Sequence, residues 1–416
     1  MASTLSALAA KLRAAFNRGA RDVVLIAFSS ALAQISVLVT VIVVGRVSGV
    51  EAVATLSLLL ALSGLISGVF DFGSNNAWIR ESAAGALSNS RFGILSGRKI
   101  MLSVLLGASL SLVLLVVPNT FSLWLLGLGV VAQVTTQTLY AGLRAASRNV
   151  ELALITVSER LLFLALFAAL FVGSWGDGSS AVLIAQFGSA MVTFGAGSFL
   201  LKEMRPRPNL GPIAEIWRGS LHFGLSSWAV TAQSLHVPIV TAAGGSLVAG
   251  QYGAVNRWTQ PMALLTQTFS LVVVPYVARE GHLVRGLKKI GVAALLPLLS
   301  AIVCSIVFLF SDEVVVLLMG PDFNAAGDVL RVLALATGIS ALSQPMSALL
   351  QARGSERVVS IVFVVGVGSG LALAWPFVAQ WSAVGGALAI LVSQVVMLVG
   401  LVPSFRRAWR IDWADK

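Results

Sequence analysis

Val37-Leu38-Val39-Thr40-Val41-Ile42-Val43-Val44-Gly45 is followed by Arg46-Val47-Ser48-Gly49-Val50-Glu51 and then by Ala52-Val53-Ala54-Thr55-Leu56-Ser57-Leu58-Leu59-Leu60. The two apolar runs belong to longer stretches, 22–45 and 52–71, that meet across one short connection. A helix crossing a bilayer needs about 20 mostly apolar residues. The stretch therefore reads as two membrane spans joined by a tight turn.

The rest of the chain repeats this pattern. Hydrophobic residues make up 57% of the 416, and charged residues only 11%. A soluble protein carries about 25% charged residues. The mean hydropathy is +0.92. Thirty-nine glycines lie among the apolar runs, as is common in membrane helices. The chain reads as an all-α polytopic membrane protein, which sets aside the soluble enzyme classes.

Twelve spans are predicted. The first six are 22–45, 52–71, 99–117, 121–142, 152–173 and 180–201, and the second six are 219–243, 252–277, 290–310, 330–350, 358–379 and 383–403. Residues 1–21, with Leu5, Leu8, Leu12 and Phe16 at helical spacing beside four cations, read as an amphipathic segment on the inner leaflet. Residues 202–218 contain Pro206 and Pro208 and read as an extended cytoplasmic linker; 404–416 form a cytoplasmic tail. This gives an N-lobe at 22–201 and a C-lobe at 219–403. Residues 311–329 read as a short interfacial helix and a turn at Gly320-Pro321-Asp322-Phe323, and 74–97 as a similar inner element.

Charge sets the orientation. The net charge is +11, and with both termini inside, 24 of the 28 Lys and Arg fall in inner segments. Only Arg46 falls in an outer loop, while Arg160, Arg257 and Arg331 lie in or beside spans. Cytoplasmic loops carry such an excess of cations, so this basic balance needs no nucleic-acid partner.

The halves resemble each other. Phe28-Ser29-Ser30-Ala31 is echoed by Leu225-Ser226-Ser227-Trp228. The elbow Leu143-Arg144-Ala145-Ala146-Ser147-Arg148 is echoed by Gln351-Ala352-Arg353-Gly354-Ser355-Glu356-Arg357. Both offsets are about 200 residues, as in transporters built from parallel repeats.

Several chemistries lack their residues. There is no G-x-x-x-x-G-K-[ST] motif for nucleotide hydrolysis. The three histidines, His222, His236 and His282, are scattered, and Cys304 is the only cysteine, so neither a metal site nor a disulfide is expected. No cofactor is expected either. Gly127-Leu128-Gly129 sits inside a span rather than after a strand, which excludes a dinucleotide loop. Gly64-x-x-x-Gly68 and Gly366-x-x-x-Gly370 read as sites of close helix packing.

Polar groups within spans are costly and so mark function or pairing. Span 8 carries Asn256, Arg257, Gln260 and Gln267 on one helical face, span 7 carries Gln233 and His236, and span 1 carries Gln34. They suit either a wet cavity between the halves, lined by spans 1, 2, 7 and 8, or interhelical hydrogen bonding. His236 also suits a structural role. Arg257 suits a phosphate, because a guanidinium grips it with two parallel bonds. Glu159 and Arg160 read as partners of neighbouring helices, Arg331 as the partner of Asp328, and the elbow arginines as lipid-headgroup anchors.

Asp71-Phe72-Gly73-Ser74-Asn75-Asn76-Ala77-Trp78-Ile79-Arg80-Glu81 is the most distinctive stretch. With the Ser-rich first helix, the two elbows and the six-plus-six plan, it resembles the polysaccharide (O-antigen and exopolysaccharide) flippases of the multidrug/oligosaccharidyl-lipid/polysaccharide exporter superfamily. That resemblance implies a V-shaped two-lobed transporter in a bacterial cytoplasmic membrane. It implies flipping of an undecaprenyl-pyrophosphate-linked oligosaccharide through a cationic cavity, with a polysaccharide polymerase or export machinery as partner. Its motif falls on Asp71, Gly73, Asn75 and Arg80. The drug-exporting relatives commonly carry an acid deep in the first helix, whereas span 1 here has only Asp22, at its end. A cation-coupled small-molecule exporter is the alternative, ahead of an intramembrane enzyme.

Overall fold

The computed structural model describes residues 18–414 except 84, 117–122, 174–177, 210, 221–223, 225–227, 229–230, 262–265, 267–268, 270–294 and 354. Most of the amphipathic segment 1–21, Gln267 and the basic stretch 279–289 lie outside these residues. Among those described, the chain is helical with no strand. The helices are α1 (Arg18–Asp71), α2 (Ser74–Ala83), α3 (Asn89–Val116), α4 (Leu126–Ala145), α5 (Asn149–Val172) and α6 (Gly178–Leu200). They continue with α7 (His236–Asn256), α8 (Leu296–Leu309), α9 (Ser311–Met319), α10 (Ala326–Ala352) and α11 (Glu356–Ala414).

Six of these helices are long and apolar enough to cross a membrane, and the pair α8–α9, bent by 80°, is a seventh candidate among the described residues. Two of the six are double. α1 breaks at Gly49, and α11 breaks at Trp381 and Ser382. The helices fall on expected spans 1–6 and 10–12, while spans 7, 8 and 9 lie partly outside the described residues.

The repeat is visible in the backbone. Gly49 has φ 80° and ψ −172°, and Gly245, which breaks α7, has φ 79° and ψ −177°. This region is essentially restricted to glycine, because a Cβ would clash there. The two turns stand 196 positions apart. The elbows match as well: Arg148 N donates to Leu143 O at 2.8 Å, and Ser355 N donates to Leu350 O at 3.0 Å. The next helix then opens with Leu152 N on Arg148 O in one half and Val359 N on Ser355 O in the other. All of these elbow pairs are offset by 207 positions.

Glycines set the closest helix approaches. A Cβ on Gly107 would lie 2.7 Å from the Gly127 carbonyl, so α3 and α4 cross where the apparent dinucleotide motif begins. Gly68 abuts Thr231, and Gly366 and Gly370 abut Met397 and Ser393, so both small-x-x-x-small pairs pack inside the molecule.

One large apolar core joins the halves on the face that carries Gly49 and Gly245. It contains Val41, Val44, Val53 and Leu56 from α1, Val240, Tyr252 and Val255 from α7, Met319 at the end of α9 and Phe323 just after it. Gly250 packs onto the Val50 carbonyl. At the opposite end the cores are separate among the described residues. Trp78, Phe92, Leu143 and Ile216 belong to one half and its linker, while Leu350, Val359 and Leu401 belong to the other.

The linker is docked rather than free. Arg205 and Pro212 have extended backbones, yet Arg207 N donates to Gly93 O at 2.9 Å. Arg98, buried, holds Pro212 O at 2.8 Å, Asn209 Oδ1 at 2.7 Å and Glu215 Oε2 at 3.1 Å. The region expected as an interfacial inner element differs too. α2 folds back on α3, and Trp78 and Phe92 are buried edge to face at 5.7 Å instead of lying at the membrane surface. The expected outer helix and turn are α9 and a 3-10 turn at Pro321–Phe323, entered through Gly320 at φ 100°.

Candidate functional site: a polar cavity in the N-terminal half

A cavity of about 270 Å³ lies among both limbs of α1, α4, α5, α6 and the residues just after α7. It thus differs from the chamber expected between spans 1, 2, 7 and 8. Among the described residues, four of its five walls belong to the N-terminal half, and Arg257 and Gln260 alone reach it from the other half.

Its lining has a distinct chemistry. Gln34, Gln133, Gln137, Gln186 and Gln260 each present a carboxamide, with two donors and an acceptor. Ser67 Oγ donates to Gln133 Oε1 at 2.8 Å. The side chains of Gln34, Gln137, Gln186 and Gln260 bond to nothing among the described residues. Gln34, Gln186 and Gln260 are half-buried and Gln137 is exposed, all of them lining the cavity. These amides are free to bond water or a ligand in the cavity, which has room for several waters.

A charged cluster forms one wall. Tyr140 Oη donates to Glu159 Oε2 at 2.5 Å, and Arg160 Nη2 stands 3.7 Å from Glu159 Oε1. Glu159 is 2% exposed, and this acid is held by a phenol from the neighbouring helix α4, with its sequence neighbour Arg160 beside it. Arg160 Nε is buried without a partner. Arg257 is half-buried, and its guanidinium has no partner among the described residues. Among the described residues, the lining therefore carries two cations and one acid, with Arg257 uncompensated.

Of the residues singled out from the sequence, Gln34, Arg257 and Gln260 meet at this cavity. Asn256 precedes Arg257 at the end of α7 but is not part of the wall. Gln233 is exposed on the 3-10 turn before α7. His236 is 4% exposed inside the C-terminal half, where a Cβ on Gly370 would lie 3.4 Å from its Nε2.

The elbow offset of 207 explains this asymmetry. It pairs Glu159 with Gly366, Phe163 with Gly370 and Gln137 with Gln344. Met397 fills the space beside Gly366, and Gln344 Nε2 is satisfied by Ser340 Oγ at 2.8 Å. Among the described residues, the positions equivalent to Glu159 and Gln137 are thus packed or satisfied, while the N-terminal ones line an open polar cavity.

Asp71, Asn75 and Arg80 are elsewhere. Asp71 caps α2, accepting from Gly73 N at 3.1 Å, Ser74 Oγ at 3.0 Å and Asn75 N at 3.3 Å. It also accepts from Lys99 Nζ, which donates to Asn75 Oδ1 at 3.0 Å and lies 5.0 Å over the Trp78 ring. Arg80 is exposed in the last turn of α2. This clasp fixes the return from α1 to α3.

The sequence reading passed over Lys99 and the Gln133–Gln137–Tyr140 stripe of α4. The stripe carries the same signal as the span 8 residues, because positions i, i+4 and i+7 share a helical face. Lys99 gave no such signal, because its partners are on a different helix.

The polysaccharide biosynthesis protein family matches residues 20–280. The chain belongs to that family. Among solved structures it is similar to "Lipid II flippase MurJ, inward closed conformation", with a TM-score of 0.73 and 12% identity over 94% of this chain and 91% of that one. It is also similar to an inward-facing multidrug resistance MATE family transporter of the MOP superfamily, with a TM-score of 0.68 and 17% identity over 90% and 94% of the two chains. A MOP superfamily transporter from Pyrococcus furiosus follows at 0.62 and 17%, over 94% and 95%. No protein of curated function matches closely enough to count as a relative. The chain is thus a multi-pass membrane protein of that family, with the fold shared by these transporters.

Proposed function

We propose that the protein flips an undecaprenyl-pyrophosphate-linked oligosaccharide from the cytoplasmic to the outer leaflet of a bacterial cytoplasmic membrane, with both termini cytoplasmic. The observation that carries this reading is the unpartnered Arg257 facing a wall of carboxamides and Tyr140. Carboxamides and a phenol suit sugar hydroxyls, and a guanidinium suits a phosphate oxygen pair. Family membership and the flippase fold support a lipid-linked substrate.

Mechanically, Arg257 belongs to one half and the rest of the charged lining to the other. Rocking the halves changes the distance between Arg257 and the Tyr140–Glu159–Arg160 wall. A headgroup bound between them would be gripped in one state and released in the other. Phosphate hydration lost on entering would be offset by the arginines, while the lipid tail stays in the bilayer. A polysaccharide polymerase would act on the flipped product.

Deletion of the gene and analysis of lipid-linked sugars tests this. Accumulation of an oligosaccharide on the cytoplasmic leaflet is expected. Unchanged lipid-linked intermediates, with a small cation retained instead, would favour the exporter reading, for which Glu159 is the buried acid in the cavity.

A further inference from the structure

The last helix continues well past its apolar part, and its end carries a second feature. Pro403, Arg406, Arg407 and Arg410 share one face of α11, at spacings of three, four and seven. They line an open groove of about 470 Å³. All three guanidinium-bearing side chains are exposed, and none has a partner among the described residues. Three adjacent like charges repel, and a bound anion relieves that repulsion.

The turn that bears them is held in place. Arg353 Nη1, from the elbow after α10, donates to Ala408 O at 3.0 Å. Phe405 and Ala408 pack on Leu350, Val359 and Leu401. Phe405 and Trp409 lie ring to ring at 5.9 Å, at the point where the helix turns from apolar to charged. Aromatic rings settle at headgroup depth, so the groove faces the lipid phosphate layer. The transport cavity has no residue from α11, which separates this groove from the substrate path.

We propose that Arg406, Arg407 and Arg410 form a binding site for the phosphodiester of an anionic phospholipid in the leaflet beside the C-terminus. Each guanidinium offers a fork of donors matched to phosphate oxygens. The packed helix fixes the backbone positions from which they reach.

Native mass spectrometry of the whole detergent-solubilised protein tests the site, with phosphatidylglycerol, phosphatidylcholine and undecaprenyl pyrophosphate titrated in parallel. Wild type is expected to retain phosphatidylglycerol over phosphatidylcholine. The R406Q/R407Q/R410Q variant is expected to lose that preference by about tenfold or more, while Arg331→Gln, a charge change elsewhere, keeps it. If the triple glutamine variant does not fold, R406K/R407K/R410K serves, with charge kept and the forks removed; its retention of phosphatidylglycerol is expected to weaken several-fold. Undiminished phosphatidylglycerol retention in the variant that folds would overturn the proposal. So would retention by the groove of undecaprenyl pyrophosphate in place of phosphatidylglycerol.

Discussion

The Arg46 guanidinium closes on the last turn of α9, donating from Nε to Leu318 O at 2.6 Å and from Nη2 to Leu317 O. These residues belong to opposite halves, and a cation at a helix C-terminus meets the negative end of the helix dipole. Arg46 was the single cation in an expected outer loop, and this contact accounts for it. Beside it, Gly45 makes room for Met319 and Phe323. The contact fastens the face on which the halves share a core. Arg46→Gln should weaken that fastening by about 1 kcal/mol, because the pair is exposed, and so shift the population of open states about fivefold. Labelling of a cysteine placed at Val41 by a water-soluble thiol reagent reads the shift. Unchanged labelling would remove Arg46 from the gate.

Lys99 is fully buried and its ammonium has three oxygen partners. Lys99→Met leaves Asp71 without its counter-charge, and breaking a buried pair costs about 3–5 kcal/mol. Lys99→Met with Asp71→Asn should be less destabilised than Lys99→Met alone. By contrast Arg331 makes exposed pairs with Asp312 at 2.5 Å and Asp328 at 2.7 Å. Arg331→Ala should therefore cost about 1 kcal/mol or less. Thermal unfolding of the purified proteins in one detergent ranks the variants.

Arg257→Ala should leave the protein inserted and folded but lower flipping by about tenfold or more, the worth of one or two charge-assisted hydrogen bonds. Arg257→Lys keeps the charge and loses the fork, and should fall between. Transfer of a lipid-linked oligosaccharide across proteoliposomes, set against protein yield, measures this. Wild-type transfer by Arg257→Ala would remove it from the substrate path.

Gly49 and Gly245 have open space where a Cβ would stand, so substitution there meets only backbone strain. Gly49→Ala and Gly245→Ala should each cost about 1–3 kcal/mol, by similar amounts, because the two turns share one conformation. Gly368→Ala, also in open space but without a positive φ, should cost little. Unequal losses at the two turns would show that the halves use them differently.

Much of the architecture was legible because membrane insertion reads local windows of sequence. The apolar runs around Arg46–Glu51 marked two helices, and the elbows at Arg144–Arg148 and Arg353–Arg357 marked the duplication. Arg257 and Gln260 stood out as polar groups in a span. Other features depended on which helix faces which. Asp71 looked like a substrate contact until α2 folded back and brought Lys99 to it across 28 positions. Tyr140 and Glu159 meet only because α4 and α5 pack side by side after their elbow.

The sequence by itself determined that this protein lives in a bilayer as repeated helical hairpins, because the transfer of an apolar segment depends on its own residues. Tertiary structure decided, among the described residues, which of two equivalent sets of positions would line a cavity. A polar side chain's cost depends on its neighbours, and only the packed molecule shows that Met397 fills the space beside Gly366 where its counterpart Glu159, with Tyr140, lines a polar cavity.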